Sequence, residues 1–392
     1  RMNPNLILLT LCQGLFFTNN VTFIAINGLV GLSIAPLGWM ATLPVMGYVV
    51  GGALSTGLVA KSQSRWGRKV SFQLGLVVAF FSALLAAYAA WSHNFWLLVA
   101  ATVIAGYYSA NGQLYRFAAA ELAADGFKEK AVSLVLAGGL IGAIVGPNLA
   151  SRTRTLYEVP FLGAYMALGV VAILAMVCMS FIRFPAVPAK KPGDSTGRPL
   201  SEIMRQPVFI VAAAAAALSY GVMNLLMAAT PLAMQQCGLP FGDTALVLEW
   251  HVIGMFAPGF FTGHLIKRFG VLRIMGIGVL LNLVCIAVAL NGEDLTHFTV
   301  ALFVLGVGWN FLFTGSTTLS LEAYTPAEKD KAQGAINFFT FLLMALSSFA
   351  SGALINTQSW AWLNIGAAVP VVITGAGLWW LSLQRVTKPR AA

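Results

Sequence analysis

Two pairs of candidate metal ligands stand at one-turn spacing in neighbouring apolar segments, as Met223-xxx-Met227 and His251-xxx-Met255. Residues four apart lie on one face of an α-helix, so both donors of a pair can reach one ion. Thioether sulfur and imidazole nitrogen are ligands that suit Cu(I). If the chain folds back near residue 240, the two pairs lie at matching distances from the turn. The spacing then predicts one four-ligand site at a single depth.

The ordinary interpretation of these residues is structural, because a single His in a helix more often makes a core hydrogen bond and a Met pair usually packs a core. The chain holds 13 Met and 4 His. Random placement of these residues gives about 0.4 Met-xxx-Met pairs and about 0.1 His-xxx-Met pairs. Finding both on adjacent segments favours metal ligation. Met234 and Cys237 are candidates for a first binding site, where an arriving ion enters the protein. Glu249 could hydrogen-bond to a metal ligand, couple proton movement to transport, or lie at the water interface.

The composition indicates that lipid surrounds these residues. Hydrophobic residues make up 58% of the sequence and charged residues 9%, too few charges to cover the surface of a water-soluble protein of this length. Apolar runs of about 20 residues, each long enough to cross a bilayer as a helix, fill most of the chain. The predicted fold is an all-α membrane protein with twelve transmembrane helices, at 5–30, 39–60, 70–92, 95–120, 131–150, 160–183, 207–235, 240–265, 271–292, 297–320, 333–355 and 360–384.

The net charge of +10 is spread over short loops rather than gathered on one patch, which argues against nucleic acid as a partner. Lys and Arg concentrate in the loops at one end of the predicted spans, and only Arg152 and Arg154 are basic residues of the opposite loops. This is the positive-inside pattern. It predicts a multi-pass protein with both termini in the cytoplasm, and we expect neither a signal peptide nor a soluble domain.

A polar stretch divides the predicted spans six and six. We expect an N-terminal six-helix half at 1–184, a cytoplasmic linker at 185–206 and a C-terminal six-helix half at 207–392. The two halves echo each other, since Glu121 leads to Lys-Glu-Lys-Ala at 128–131 and Glu322 leads to Lys-Asp-Lys-Ala at 329–332. A duplicated six-helix unit explains this repeat.

Over essentially its full length, the chain resembles the major facilitator superfamily of transporters. The segment at 57–69 resembles the family's Gly-x-x-x-Asp-Arg-x-Gly-Arg-Lys signature, and the glycines at 138–147 resemble its gating motif. Close packing of helices through small residues explains those glycines equally well. The resemblance implies two halves that rock around a site near the membrane midplane. The residues that it implies for gating are Gly57, Arg65, Gly67, Arg68, Gly138, Gly142, Gly146 and Pro147.

The Met and His pairs also resemble those of the bacterial copper importers of this superfamily, which supply the cytochrome oxidase assembly pathway and have riboflavin-transporter relatives. The resemblance implies a monomeric secondary transporter that imports copper across the cytoplasmic (inner) membrane by alternating access. Copper is then the transported substrate and no cofactor is tightly bound. Membrane lipid and the copper chaperones of oxidase assembly are the implied partners. The implied ligands are Met223, Met227, His251 and Met255.

An organic solute such as riboflavin is the alternative substrate, because polar and aromatic residues of several spans could hydrogen-bond and stack a planar ring. Hydrogen bonding between helices explains the same residues. A metal-sensing receptor is a third hypothesis, without a signalling segment to support it. An enzyme is not expected, since the sequence shows no phosphate-binding loop, no HExxH and no nucleophile paired with a base. The candidate cavity residues are Asn19, Asn20, Tyr108, Asn111, Trp309, Asn310 and Asn337.

Overall fold

The computed structural model describes residues 2–186 and 196–387. Within these ranges the chain is helical and contains no strand. Short 3₁₀ turns lie at Gly38–Thr42 and Pro326–Glu328. The α-helices are α1 (Pro4–Ile34), α2 (Leu43–Trp91), α3 (Phe95–Gly112), α4 (Tyr115–Leu122), α5 (Lys128–Ala137), α6 (Gly139–Thr153), α7 (Leu162–Ser180), α8 (Leu200–Ile203), α9 (Pro207–Gln236), α10 (Phe241–Phe256), α11 (Gly259–Phe269), α12 (Val271–Asn291), α13 (Leu295–Ser320), α14 (Lys329–Thr357) and α15 (Trp360–Thr387).

Side-chain caps fix where several of these helices begin. Asn3 accepts a hydrogen bond from the backbone N–H of Leu6 at the start of α1, and Asn94 does the same for α3. Asp294 caps α13 through the N–H of His297. Each cap satisfies one of the backbone donors that a helix start leaves without a partner. Asparagine and aspartate therefore mark the turns between apolar runs.

Backbone breaks divide two of the long helical stretches. In α2, Gly67 has a φ of 83°, in the region that glycine adopts without a steric penalty. This residue separates the second and third predicted spans. A second break lies at Ala257 and Pro258, where α10 and α11 meet at a bend of 40°. Proline lacks a backbone N–H and its ring clashes with the carbonyl four residues earlier, so the helix cannot continue straight.

The helices agree with the predicted spans. In the described residues, nine helices are long and apolar enough to cross a membrane, and the bent pair α10–α11 makes ten. One of the nine, Met40–Trp91, has 52 residues and covers two predicted spans. The fourth predicted span corresponds to α3 and α4. A multi-pass, all-helical membrane protein is thus confirmed.

Contacts between Cα atoms group the chain into two units. The first contains Arg1–Ala131, Val135–Asp194 and Gln333–Phe341, and the second contains Val132–Leu134, Ser195–Ala332 and Leu342–Ala392. In the first unit, α2 packs against α3 and α7, and α1 against α6 and α7. In the second, α13 packs against α9, α10 and α12, and α15 against α9 and α12. The predicted division at 1–184, 185–206 and 207–392 stays a prediction, and residues 187–195 of its linker lie outside the described residues.

Candidate functional site

His251 is completely buried in α10, with its ring held by the backbone of α13. Its Nδ1 lies 2.7 Å from the carbonyl oxygen of Leu302. Because a carbonyl oxygen only accepts, Nδ1 carries the hydrogen and donates it. Nε2 then presents a lone pair, and this buried atom has no hydrogen-bond partner among the described residues. Metal-binding histidines commonly show this arrangement, in which one ring nitrogen donates to a fixed acceptor and the other is left to bind the metal.

The three methionines of the predicted site lie on the two helices that flank α13. Met223 on α9 and Met255 on α10 are buried, and Met227 is half-buried. Both helices pack mainly on α13 and also contact each other. The turn between them runs from Cys237 to Pro240, as the fold-back near residue 240 requires. Convergence of the four donors on one ion remains a prediction.

Two glycines let α10 and α13 approach closely at the level of His251. A Cβ added at Gly306 of α13 would meet the His251 carbonyl oxygen and would lie 2.8 Å from the Met255 backbone nitrogen. A Cβ added at Gly254 of α10 would lie 2.5 Å from the carbonyl oxygen of Phe303. Small residues at such crossings allow backbones to touch. The glycines therefore set the position of the segment that carries His251 and Met255.

Met234, Cys237 and Glu249 lie in different surroundings. Met234 is fully buried. The half-buried Cys237 thiol donates to Glu293 Oε2 at 3.4 Å, and burial together with this carboxylate raises the pKa of Cys237 to about 11. Glu249 is exposed, because a residue two positions from the buried His251 lies about 200° around the helix. A first binding site at Met234 and Cys237 and the suggested roles of Glu249 remain predictions.

Most polar groups of the alternative cavity have protein partners. Asn111 accepts from Ser71 at 2.7 Å and donates to the Tyr107 carbonyl. Asn337 donates to the Ala110 carbonyl, and Asn20 accepts from Tyr48. Asn19 is buried and Tyr108 packs edge-on against Phe16. Most of these contacts connect helices of the first unit. Apart from the bond between Asn111 and Tyr107, which lies within α3, they are the interhelical hydrogen bonds and ring contacts of the structural interpretation.

The other two cavity residues lie on α13 in the second unit. Trp309 stacks on Phe313 with centroids 5.0 Å apart and meets Tyr220 and Phe256 edge-on. Its buried indole N–H has no partner among the described residues. Both amide atoms of the neighbouring Asn310 are engaged by Met255 and Thr262. Trp309 thus keeps an unused donor within an aromatic cluster, whereas Asn310 serves the packing of α10 and α11.

Arg68 is the centre of the buried polar network in the signature segment. It donates to Glu121 at 2.7 and 3.0 Å, to Gln63 at 3.1 Å and to Gln333 at 2.7 Å. In register with Arg65 to Lys69, the signature's acidic position falls on Ser64 and its first glycine on Ala60, so Gly57 lies outside the signature. The carboxylate beside Arg68 therefore comes from α4. Sequence reasoning did not identify Glu121 as this partner, although its recurrence as Glu322 in the repeat was the available signal.

Besides Gly67, which breaks α2, the glycines assigned to gating divide into two groups. Gly138, Gly142 and Gly146 pack on α1, where an added Cβ would lie 2.5 Å from Thr10 O, 2.5 Å from Thr18 N and 3.0 Å from Val21 Cβ, respectively. By contrast, a Cβ at Gly57 would meet nothing within 4 Å. Pro147 is exposed within α6, and the Arg65 guanidinium lies over the Trp66 ring at 5.3 Å. Their gating roles remain predictions.

Comparison with known proteins places the chain among transporters. The Major Facilitator Superfamily model matches residues 6–257 and 212–392. The riboflavin transporter RfnT of Brucella anthropi is 39% identical over 363 residues, which cover 92% of this chain and 91% of that protein. Among solved structures, a bacterial homologue of the iron transporter ferroportin has a TM-score of 0.78 at 15% identity, covering 97% of this chain and all of that one. The proton:xylose symporter XylE has a TM-score of 0.80 at 14% identity, covering 96% and 94%. At these identities the two structures are similar in fold alone.

Proposed function

The chain belongs to the Major Facilitator Superfamily, whose members are carriers rather than enzymes, and we propose that it is a secondary transporter that imports copper by alternating access. The observation that carries the proposal is the imidazole of His251. Its Nδ1–H donates to the Leu302 carbonyl oxygen, and its buried Nε2 has no hydrogen-bond partner among the described residues. A buried polar atom without a partner costs free energy. Binding of an ion at Nε2 would remove that cost.

The donor set favours a soft, singly charged ion. In the described residues no three His, Cys, Asp or Glu side chains are grouped to hold a metal. A metal site in this part of the chain would have to draw on methionine sulfur and the buried imidazole of His251. These neutral ligands suit Cu(I), whereas Ca²⁺ and Mg²⁺ require several oxygen ligands. A single positive charge is also less costly to hold between apolar helices than a double one.

Transport of an organic solute such as riboflavin is the second candidate, and a specific comparison favours it. The RfnT relative covers nearly all of this chain at 39% identity. The unused indole N–H of Trp309, within its cluster of aromatic rings, could donate to a carbonyl of a planar ligand. Substrate choice within one fold nevertheless depends on a few side chains of the site. The comparison with RfnT therefore supports an organic solute better than it supports copper, and the copper proposal rests on the geometry of His251 alone.

The setting of this transport is part of the same proposal. The excess of Lys and Arg in alternate loops supports a cytoplasmic membrane with both termini inside the cell. We further propose that the protein acts as a monomer in lipid and hands copper to chaperones of oxidase assembly. Copper is its substrate and no cofactor is required.

Cu(I) binding to the purified protein tests the proposed site. We expect the X-ray absorption of anaerobic, ascorbate-reduced copper to show sulfur and nitrogen ligands in the wild-type protein. His251→Asn keeps an N–H for Leu302 O but removes the Nε2 ligand, so it should lose the nitrogen and at least tenfold in affinity. Met223→Leu and Met255→Leu should each lose sulfur at nearly constant side-chain volume. His264→Ala, in an exposed position of α11, is the matched control.

The result decides between the two candidates. If copper binds wild type and His251→Asn with equal affinity, His251 is not a ligand and the copper proposal fails. If the wild type shows no stoichiometric copper binding but riboflavin quenches its tryptophan fluorescence, the organic-solute candidate replaces it.

A further inference from the structure

The break between α10 and α11 removes backbone hydrogen bonds directly after Met255. Pro258 has no N–H to donate. On its far side, Phe260 N donates to Ala257 O and Thr262 N to Pro258 O. The amide of Asn310, a fully buried residue of α13, lies beside this break. Its Nδ2 donates to the carbonyl oxygen of Met255 at 2.7 Å, so a side chain of another helix supplies a donor to Met255.

The two contacts of Asn310 also fix the orientation of its amide. The Met255 carbonyl can only accept, which turns Nδ2 toward it and directs Oδ1 toward α11. There the Thr262 hydroxyl lies 2.6 Å from Oδ1. Asn310 therefore joins the last turn of α10 to the first turn of α11 on the two sides of the bend.

The Thr262 hydroxyl has two acceptors within reach but only one hydrogen. Besides Asn310 Oδ1, it lies 2.8 Å from the carbonyl oxygen of Pro258 in its own turn. If α11 moves away from α13, the hydroxyl can turn back to Pro258 and remain satisfied. Loss of a buried hydrogen bond without a substitute would be costly. The exchange lets the bend change without leaving the hydroxyl unpaired.

A second hydroxyl contacts the same turn. Ser133, which belongs to the same unit, donates to Gly259 O and accepts from Gly263 N at 3.0 Å. Gly259 O and Gly263 N are the acceptor and donor that a regular helix joins directly. A side chain that competes for such a pair of backbone groups is a recognised cause of helix bending. The first turn of α11 is thus held by side chains of two other helices.

We propose that Asn310, Thr262 and Ser133 are positioning residues that hold the bend between α10 and α11, and that Thr262 changes acceptor as this bend alters during transport. We call these three residues the hinge bridge. Through Met255 the hinge bridge places the His251-xxx-Met255 segment against α13. The inference rests on the family's transport activity and not on the identity of the substrate. It assigns Asn310 a mechanical role in place of a solute contact.

Thr262→Val tests the hinge bridge because valine keeps the shape and removes the hydroxyl. We expect uptake into proteoliposomes, measured with both radioactive copper and riboflavin as substrates, to lose at least fivefold in maximal rate. The KM should change less than twofold, since the ligands themselves are retained. Thr262→Ser, which restores the hydroxyl, should recover the rate to within twofold of wild type. Thr374→Val is the matched control, because Thr374 bonds only to the Pro370 carbonyl four residues earlier among the described contacts.

Amide hydrogen exchange over residues 259–265 supplies a readout that does not depend on a substrate. We expect exchange at least tenfold faster in Thr262→Val than in Thr262→Ser, without a change in α15. If Thr262→Val does not yield folded protein, Ser133→Ala should show the same loss of rate and the same faster exchange. Uptake and exchange rates equal to those of the wild type in Thr262→Val, or in Ser133→Ala where that variant is used, would overturn the inference.

The uptake and hydrogen-exchange measurements also separate this inference from the choice of substrate. Wild-type uptake of riboflavin but not copper would end the copper proposal, and the rate of Thr262→Val with riboflavin would then test the hinge bridge. If the wild-type protein transports neither substrate, amide hydrogen exchange over residues 259–265 tests the hinge bridge. Equal exchange in Thr262→Val and Thr262→Ser would refute the hinge bridge.

Discussion

Gly306→Ala places one methyl group in the contact that seats α10 on α13. The added Cβ would collide with the His251 carbonyl oxygen and would lie 2.8 Å from the Met255 nitrogen. An ordinary contact begins at 3.4 Å, so α10 must retreat by at least about 0.6 Å, because close-packed interiors leave little room. Overpacking of this kind costs about 1–3 kcal/mol. Alanine recovers about 0.5–1 kcal/mol of helix propensity.

Gly276→Ala on α12 is the control that isolates the steric cost. A Cβ at Gly276 would meet nothing within 4 Å, so this variant should gain the helix propensity alone. The difference between the two variants is therefore the overpacking cost of about 1–3 kcal/mol. In detergent, Gly306→Ala should melt at least about 2 °C below Gly276→Ala, as followed by tryptophan fluorescence.

The same displacement should weaken the site. Retreat of α10 lengthens the 2.7 Å bond from His251 to Leu302 O beyond about 3.2 Å, where such bonds weaken. We expect Gly306→Ala to bind Cu(I) at least tenfold more weakly than Gly276→Ala. Equal melting temperatures and equal copper affinities in the two variants would refute the claim that this glycine seats the ligand helix.

Two further predictions concern groups away from the ligand helix. Arg68→Lys should lower stability by about 1–3 kcal/mol, since an ammonium cannot reproduce the paired hydrogen bonds to Glu121; a melting temperature equal to that of the exposed-site control Arg65→Lys would contradict this. Alkylation of Cys237 should be slow at neutral pH and accelerate toward pH 11, because its pKa is raised to about 11 by burial and by Glu293. Glu293→Gln should shift that acceleration to lower pH, and an unchanged profile would show that the carboxylate does not influence the thiol.

The helical fold was predictable because its signals are local. Apolar runs long enough for a bilayer, Asn and Asp caps, Gly67 and Pro258 all act within a few residues of where they stand. The burial of His251 followed from its place in an apolar run, whereas that place left three roles open for Glu249, one of them at the water interface. The structure shows Glu249 exposed, because helical rotation rather than the depth of the span decides which side chain faces inward.

The partners of the candidate site could not be read from the sequence. Leu302 contributes a backbone carbonyl 51 positions from His251, and a carbonyl has no residue-type signal. The sequence does not distinguish Gly57 from Gly306. In the structure, however, Gly57 faces open space and Gly306 faces the backbone of α10. Asn310 was recognisable as a polar residue that needs a partner, but its two partners lie on two other helices, α10 and α11. Long-range pairing therefore separates a hinge residue from a solute-binding one.

Uptake of radioactive copper into proteoliposomes that contain the wild-type protein tests the central claim most directly. Copper supplied as Cu(I) should accumulate at a saturable rate. Excess riboflavin should leave this rate unchanged, His251→Asn should abolish it, and His264→Ala should retain it. Saturable riboflavin uptake without copper uptake, or copper uptake that survives His251→Asn, would contradict the account.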